Sequence, residues 1–235
     1  MIHANMLFTD PPYGYSYQSN MRTQTEKFDV IENDDKILNF IPAVKNVVDG
    51  FVFVCTTWKV VDKWIALFKQ YYDLTNVIIW DKGGGIGDLK HTFSTDYEMI
   101  LVSNNGKEIR GKRLGSVWDF GKAEIEKLKK AELIKIILEM QESGSVWDIK
   151  KDNANDYEHP TQKPVALAAR AIRHTTERGD TVLDCFGGSG STLMACEQMQ
   201  RKCRMMELSP KFCDIIIKRW ENATGQKAEL IETGN

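Results

Sequence analysis

Four consecutive residues near the start of the chain have the types and order needed to hold a planar amino group. Asp10-Pro11-Pro12-Tyr13 follows the apolar run Met6–Thr9, and the two prolines end a strand because they donate no ladder hydrogen bond. The turn lets the Asp10 carboxylate and the Pro11 carbonyl accept two hydrogen bonds at one spot, while Tyr13 offers a ring face. An exocyclic amine of a nucleobase has two protons to donate, and a flipped base needs a stacking partner. The alternative is a proline turn in which Asp10 caps a backbone N–H.

A second chemical signal is a glycine-rich turn that joins a strand to a helix. In Asp184–Thr192 the glycines let the backbone approach a ligand, and Ser191 or Thr192 is expected to cap the helix. Free N–H groups at the helix start favour a negative or polar ligand group. Glu207 comes seventeen residues after Gly190, where a carboxylate accepts hydrogen bonds from both ribose hydroxyls. The pattern favours an adenosine-containing cofactor, but it also fits a nicotinamide dinucleotide or a tight turn without a ligand.

Strands and helices alternate around both motifs, which indicates a largely parallel sheet covered by helices on both faces. Apolar and β-branched runs predict the strands, and apolar residues at helical spacing predict the helices. The expected strands are Met6–Thr9, Phe51–Cys55, Asn76–Trp80, Tyr97–Val102, Thr181–Asp184, Lys202–Glu207 and Ala228–Ile231. The expected helices are Asp34–Val48, Trp58–Tyr72, Ala123–Met140, Val165–Thr176, Ser191–Met199 and Pro210–Ala223.

The segment 104–156 interrupts this alternation with charged, helical sequence. We interpret it as a helical insertion within a single domain that covers residues 1–235. Eight basic residues against four acidic residues lie between Lys107 and Lys130, in a chain whose formal net charge is -2. A basic surface for a nucleic acid and an ordinary solvated helix face both fit this local excess. The pentapeptide Gly-Ser-Val-Trp-Asp occurs at 115–119 and again at 144–148, and the sequence offers no physical reason for the repeat.

The composition is that of a globular protein. The 235 residues are 42% hydrophobic and 27% charged, which argues against disorder and fibrous structure. The five cysteines show no CxxC spacing, so we expect neither a disulfide framework nor a metal site. No apolar run is long enough to cross a bilayer, and the N-terminus lacks the pattern of a secretion signal. We therefore expect a cytoplasmic protein without a membrane partner.

The motifs and their order resemble the β-class DNA amino-methyltransferases, in which the DPPY catalytic motif precedes the cofactor loop. Asp10–Tyr13 looks like that catalytic motif, and Asp184–Thr192 is similar to the family's DxFxGSGTT loop. Within the loop, Cys185 stands where proline is common and Ser191 where the first threonine is usual. The segment 159–164, with the sequence HPTQKP, looks like the HPTxKP segment that contributes to the family's cofactor site.

The resemblance implies an α/β protein with a permuted Rossmann-like methyltransferase fold, whose mostly parallel seven-stranded sheet carries a helical insertion. It implies S-adenosylmethionine as the cofactor and segment 104–156 as the target-recognition region. The catalytic residues that it indicates are Asp10, Pro11, Pro12 and Tyr13. The residues expected to contact the cofactor are Asp10, Thr161, Lys163, Asp184, Phe186, Gly188, Ser189, Gly190, Ser191, Thr192 and Glu207. From charge, polarity and position, the residues expected to contact DNA are Tyr15, Tyr17, Arg22, Lys112, Arg113, Lys129 and Lys130.

The implied reaction is methyl transfer from S-adenosylmethionine to the exocyclic amine of a flipped base in duplex DNA. Family members that act on cytosine N4 commonly begin the catalytic motif with Ser, so Asp10 favours N6 of adenine. N4 of cytosine stays open, as do a nicotinamide oxidoreductase and an inactive DNA-binding homologue. A homodimer partner and a cognate restriction endonuclease also stay open. The sequence departs from the family in two respects: only nine residues precede Asp10, and the recognition segment is short.

Overall fold

The computed structural model describes residues 3–15, 34–83, 96–110, 144–151 and 162–231. Within these ranges the chain forms seven strands and five helices. The strands are β1 (Ala4–Thr9), β2 (Val48–Thr56), β3 (Asn76–Asp81), β4 (Tyr97–Ser103), β5 (Val146–Asp148), β6 (Thr181–Asp184) and β7 (Lys202–Met205). The helices are α1 (Ile41–Lys45), α2 (Val61–Phe68), α3 (Val165–Thr175), α4 (Ser191–Met199) and α5 (Pro210–Thr224).

The described strands form one sheet in the order β5-β3-β4-β2-β1-β6-β7. β1 lies between β2 and β6 and is parallel to both, with Leu7 opposite Val52 on one side and Leu183 on the other. β4 is antiparallel to its neighbours β2 and β3 and is the one reversed strand of this sheet. The other six strands therefore end at one edge of the sheet, here named the carboxyl edge, and β4 begins there.

Alternation of side chains along the strands divides the core between the two faces of the sheet. On β1, Met6 and Phe8 join a buried cluster with helices α3 and α4, whereas Leu7 joins a second cluster with α1 and α2. Trp64 and Phe68 of α2 are fully buried in the second cluster. The predicted seven-stranded, mostly parallel sheet with helices on both faces is confirmed. In the described part of the chain, no helix has the length and apolar character needed to span a membrane.

The seventh strand is not the one that the sequence predicts. Ala228–Ile231 forms no strand, because Ala228 N donates to Glu221 Oε1 at 3.0 Å and holds the segment at the end of α5. Val146–Asp148, inside the second Gly-Ser-Val-Trp-Asp copy, takes the seventh place as β5. It pairs with β3 and buries the Trp147 ring, which gives this copy a structural role. The first copy lies outside the described residues.

Two helices are shorter than predicted. The helix predicted at Asp34–Val48 is restricted to α1, and the residues before it form a loop in which Asp34 accepts a hydrogen bond from Gly14 N at 2.8 Å. That bond uses the Asp34 side chain to hold the loop after β1, so the segment is not free to extend the helix. The helix predicted at Trp58–Tyr72 is α2, which starts later and ends earlier.

Candidate active site

The two predicted motifs meet at the carboxyl edge, where β1 and β6 end side by side. Thr9, the last residue of β1, is fully buried, and its hydroxyl donates to Asp184 Oδ1 at 3.0 Å. The same hydroxyl accepts from Cys185 N at 3.2 Å. The Asp10–Tyr13 turn therefore leaves the sheet directly beside the glycine loop, at the edge where ligands bind in sheets of this kind.

The Asp10 carboxylate lies in a compact group of polar side chains. Tyr13 Oη is 2.9 Å from Asp10 Oδ1, and Lys163 Nζ donates to Asp10 Oδ2 at 2.5 Å. Lys163 Nζ also donates to Tyr13 Oη at 3.0 Å. Glu98 Oε2 lies 2.9 Å from Tyr13 Oη and 3.2 Å from Lys163 Nζ. The Tyr13 hydroxyl has one proton, so it donates to one of the two carboxylates at a time.

Glu98 is a site residue that the sequence analysis missed. β4 is reversed, so its second residue lies at the carboxyl edge, paired with Trp80 of β3. Lys82 follows β3, and its Nζ lies 3.2 Å from Glu98 Oε1. Together Asp10, Tyr13, Lys82, Glu98 and Lys163 form what we name the charged cluster. The reversed direction of β4 is the signal that would have indicated Glu98, and the apolar pattern of β4 does not reveal that direction.

The charged cluster shifts the pKa values of its members in different ways. Burial raises the pKa of Asp10, and Lys163 only partly opposes that shift. Burial would also raise the pKa of Glu98, but Lys163 and Lys82 outweigh it and lower this pKa to about 2. Burial would lower the pKa of Lys163, but the two carboxylates raise it above its ordinary value. Glu98 is therefore ionised and Lys163 protonated at neutral pH.

The backbone and ring of Tyr13 are fixed by their neighbours. Trp64 Nε1 donates to the Tyr13 carbonyl at 3.3 Å. Gly14 has a φ of +81°, and a Cβ at this position would lie 2.7 Å from Ile37 N, so glycine is required. The Tyr15 ring stacks beside the Tyr13 ring with centroids 6.2 Å apart. The turn therefore presents an aromatic surface whose position does not depend on a ligand.

The glycine loop turns sharply where side chains would be strained or would collide. Gly188 and Gly190 have φ values of +55° and +80°, in the left-handed region that favours glycine. A Cβ at Gly187 would lie 2.8 Å from Met205 Sδ, so the loop approaches the residues of β7 closely only because no side chain intervenes. These constraints keep side chains out of the turn that leads into α4.

The cap of α4 differs from the prediction that Ser191 or Thr192 caps this helix. Gly190 occupies the N-cap position, and no side chain makes the capping bond. Ser191 Oγ instead donates to the Lys163 carbonyl at 2.6 Å, and Thr192 donates a hydrogen bond to the Asp184 carboxyl group. Lys163 therefore links the two regions of the site, because its backbone holds α4 while its side chain belongs to the charged cluster.

Glu207 follows β7 and its carboxylate is held against the glycine loop. Oε2 accepts from Gly188 N at 2.7 Å, and Oε1 accepts from Ser209 N at 2.9 Å. The strand predicted to reach Glu207 ends at Met205. A carboxylate has about four lone-pair positions, so Glu207 can accept further bonds from the hydroxyls of a ligand. The loop and this acid fit an adenosine-containing group.

Asp184, at the end of β6, lies in an environment opposite to that of Glu98. Burial raises the pKa of Asp184 to about 7. The groups that partly oppose the shift are neutral hydrogen-bond donors, namely Thr192, the Phe186 backbone and Thr9. The glycine loop therefore surrounds the Asp184 carboxyl group, and the three groups that donate hydrogen bonds to it are all uncharged.

The remaining predicted site residues divide into two groups. Phe186 packs edge-on against Phe40 with ring centroids 5.2 Å apart, and the carbonyl of buried Ser189 accepts from Arg219 Nη1 at 2.8 Å. Arg219 was missed because α5 shows no motif that links it to the loop. The predicted residues outside the described ranges are Tyr17, Arg22, Lys112, Arg113, Lys129, Lys130 and Thr161, together with the helix Ala123–Met140.

A family model and several relatives match this chain. The model, described as DNA methylase of the N6 and N4 type, matches residues 4–218. The type II methyltransferase M2.DpnII of Streptococcus pneumoniae is 26% identical over 236 residues, which cover 92% of this chain and 82% of that protein. The DNA adenine methyltransferase YhdJ of Escherichia coli strain K12 is 36% identical over 101 residues, which cover 39% of this chain and 34% of that protein.

Solved structures share the fold. The crystal structure of the M1.HpyAVI-SAM complex has a TM-score of 0.61 and 19% identity, and the match covers 93% of this chain and 90% of that one. The cytosine-N4-specific PvuII DNA methyltransferase has a TM-score of 0.64 and 16% identity, covering 93% of this chain and 79% of that one. At these identities the likeness establishes the common architecture.

Proposed function

The chain belongs to the DNA methylase family of the N6 and N4 type, and on that basis we propose that it transfers a methyl group from S-adenosylmethionine to N6 of adenine in duplex DNA. The proposal depends on the position of the Asp10–Tyr13 turn beside the glycine loop. The Thr9–Asp184 hydrogen bond joins the two strand ends from which the turn and the loop begin. An acceptor for an amine thus lies next to a cradle for a cofactor. The SAM complex of a protein with the same fold supports the choice of cofactor.

Asp10 and Pro11 bind the exocyclic amine of the flipped base in this proposal. Asp10 accepts bonds from Tyr13 and Lys163, and a carboxylate has about four lone-pair positions, so it can accept another bond from the amine. The amine lone pair is delocalised into the base ring, and acceptors on both amine protons favour the tetrahedral geometry that attack requires. Stacking on the Tyr13 ring, worth about 1–3 kcal/mol, offsets part of the cost of extruding the base.

The glycine loop and Glu207 hold the cofactor in this proposal. S-adenosylmethionine, when bound, supplies the electrophilic methyl group. Glu207 accepts hydrogen bonds from the ribose hydroxyls, and the loop around Gly188 presents backbone at close approach. Because Lys163 contacts both regions, it aligns the base site with the cofactor site, and alignment of reactants supplies much of the rate enhancement.

Adenine is proposed as the methylated base because the motif begins with Asp10. A carboxylate binds an amine more strongly than a hydroxyl does, through a charge-assisted hydrogen bond. The match to a protein named DNA adenine methyltransferase supports this choice, and the similar fold of a cytosine-N4-specific enzyme makes cytosine the alternative.

The proposal is tested with purified protein, duplex DNA of mixed sequence and S-adenosylmethionine that carries a labelled methyl group, followed by mass spectrometry of the nucleosides. Labelled N6-methyladenine is expected. N4-methylcytosine without N6-methyladenine would overturn the choice of adenine while leaving methyl transfer intact. DNA binding without transfer would indicate an inactive homologue, and a rise in melting temperature with NAD alone would indicate an oxidoreductase.

We also propose that segment 104–156 sets DNA affinity and sequence choice. Each phosphate contact contributes about 0.9 to the slope of log affinity against log salt concentration. Replacing Lys112, Arg113, Lys129 and Lys130 by Gln should therefore flatten that slope, measured by fluorescence anisotropy. An unchanged slope would place the DNA elsewhere.

We also propose that the substrate is duplex DNA, that the protein acts in the cytoplasm, and that residues 1–235 operate as one domain. Association into a homodimer and pairing with a cognate restriction endonuclease are separate predictions. Light scattering of the purified protein with and without DNA tests for a homodimer. Resistance of DNA from an expressing host to cleavage by restriction endonucleases tests for pairing with a cognate endonuclease.

A further inference from the structure

Four exposed residues at the carboxyl edge are not among the individual residues predicted to contact the cofactor or DNA. Trp58 and Lys59 follow β2, and Lys150 and Lys151 follow β5. Because both strands end at the carboxyl edge, all four residues leave the sheet on the same side as the charged cluster. We name Trp58, Lys59, Lys150 and Lys151 the rim.

Contacts connect the first half of the rim to the catalytic turn. Lys59 Nζ lies 5.1 Å from the centroid of the Tyr15 ring, and Tyr15 stacks beside Tyr13. Trp58 directly precedes Lys59 and is 46% exposed. A single exposed tryptophan would indicate little on its own. Here it is an exposed aromatic group next to Lys59, on the same side of the sheet as the stacked Tyr13 and Tyr15 rings, where the flipped base is proposed to stack.

Electrostatics connect the second half of the rim to the charged cluster. Ile149 N donates to Asp81 O at 3.2 Å, which places Lys150 and Lys151 beside the end of β3. Desolvation lowers the pKa of Lys151, repulsion from Lys82 and Lys163 lowers it further, and attraction to Glu98 partly opposes the shift, so Lys151 lies within electrostatic reach of the charged cluster. A phosphate at this position would relieve that repulsion.

Resting on the proposed function, we propose that the rim is a DNA contact surface. Lys59, Lys150 and Lys151 bind phosphates on the strand that flanks the flipped base, and the Trp58 indole packs on a neighbouring base. Asp62 and Asp148 lie close to these lysines in sequence, so the rim acts through individual contacts rather than through a large net charge. Lys150 and Lys151 lie within segment 104–156, whereas Trp58 and Lys59 lie outside it, and together the four residues position the duplex over the charged cluster.

The lysines are tested with the triple variant Lys59→Gln, Lys150→Gln and Lys151→Gln. Its slope of log DNA affinity against log salt should be lower by up to about 0.9 for each lost phosphate contact, with S-adenosylmethionine affinity unchanged. A matched triple variant replaces three exposed lysines placed after α2, at the start of β7 and in the second half of α5, away from the carboxyl edge: Lys69, Lys202 and Lys218. This control should keep the wild-type slope.

Trp58 is tested separately, because its contact is not ionic. Trp58→Ala should weaken DNA binding about tenfold without changing the salt slope, and Trp58→Phe should restore most of the affinity. Ile217→Ala, at a residue of α5 that is also 44% exposed, should leave the affinity unchanged.

Two results would refute the rim as a DNA contact surface and leave the proposed function intact. The first is wild-type DNA affinity with an unchanged salt slope in the rim lysine variant, and the second is an equal loss of DNA affinity in both triple variants. Wild-type protein that neither binds nor methylates DNA would overturn both. A lower slope confined to the rim variant, with methyl transfer restored at high DNA concentration, supports the rim.

Discussion

The charged cluster and the glycine loop lie at neighbouring strand ends, yet they are built in opposite ways. The cluster brings together side chains from segments distant in sequence, with two carboxylates and two lysines in contact. The loop is continuous in sequence and depends on glycine backbone and neutral hydrogen bonds. The contrast indicates a division of work, in which the cluster supplies strong acceptors for a polar base and the loop supplies close backbone approach for a cofactor.

Two carboxyl groups carried by strands, Glu98 on β4 and Asp184 on β6, show the same contrast. Two lysines lower the pKa of Glu98 to about 2 despite burial, whereas burial raises the pKa of Asp184 to about 7. Glu98 is therefore an ionised acceptor at neutral pH, whereas the loop holds a carboxyl group that titrates near neutrality. Variants of Asp10, the glycine loop, Glu98 and Asp184 test whether the two regions differ in this way.

Removal of the Asp10 carboxylate is expected to have the largest effect. Asp10→Ala deletes the proposed amine acceptor, so single-turnover methyl transfer at saturating cofactor should fall by about 10²–10³-fold or more. Asp73→Ala removes an exposed carboxylate between α2 and β3 and serves as the control, with the wild-type rate expected. Retained turnover in Asp10→Ala would show that the amine is bound elsewhere.

Variants of the loop should weaken cofactor binding about tenfold, a smaller effect. Gly188→Val strains a residue with φ of +55° and blocks backbone approach, and Glu207→Ala leaves ribose hydroxyls unpaired. Gly179→Ala is the control, because Gly179 has a φ of +85° with open space around it and adds backbone strain away from the loop. Calorimetric titration that finds unchanged affinity in both folded loop variants would contradict the assignment.

Glu98 should affect stability with a characteristic pH dependence. Its pKa of about 2 lies below its ordinary 4.5, so its stabilising contribution is present above about pH 4.5 and is lost as pH falls through about 2. Glu98→Gln should lower the free energy of unfolding at pH 7 by on the order of 3–4 kcal/mol, at about 1.4 kcal/mol per pKa unit. Urea unfolding at several pH values measures this, and a gap that stays constant down to pH 3 would contradict it.

Asp184 should show a pH dependence of the opposite sign. Its pKa of about 7 lies above its ordinary 3.8, so the folded state retains the proton and wild-type stability falls as pH rises from about 4 to about 7. The difference in unfolding free energy between wild type and Asp184→Asn should therefore shift in favour of the variant across that range. A shift in the same direction as for Glu98→Gln would remove the contrast between the two regions.

The sequence predicted the loop well because its chemistry is local. Glycines, Asp184 and the following helix start are adjacent in the chain, and the structure places them as one turn. Of the charged cluster, Asp10, Tyr13 and Lys163 were predicted as site residues, whereas Glu98 was missed because it depends on the reversal of β4, which no short pattern encodes. The sequence correctly predicted seven strands in a mostly parallel sheet. It placed the seventh strand at Ala228–Ile231 and missed Val146–Asp148, because a three-residue strand carries almost no periodic signal.

Cofactor titration of Asp10→Ala, Glu207→Ala and the double variant tests the division of work most directly. The account predicts that Asp10→Ala binds S-adenosylmethionine within a few fold of wild type. It also predicts that the double variant binds within about twofold of Glu207→Ala alone, as expected for independent sites. A loss of affinity in Asp10→Ala as large as that in Glu207→Ala would contradict the account, because Asp10 would then hold the cofactor rather than the base.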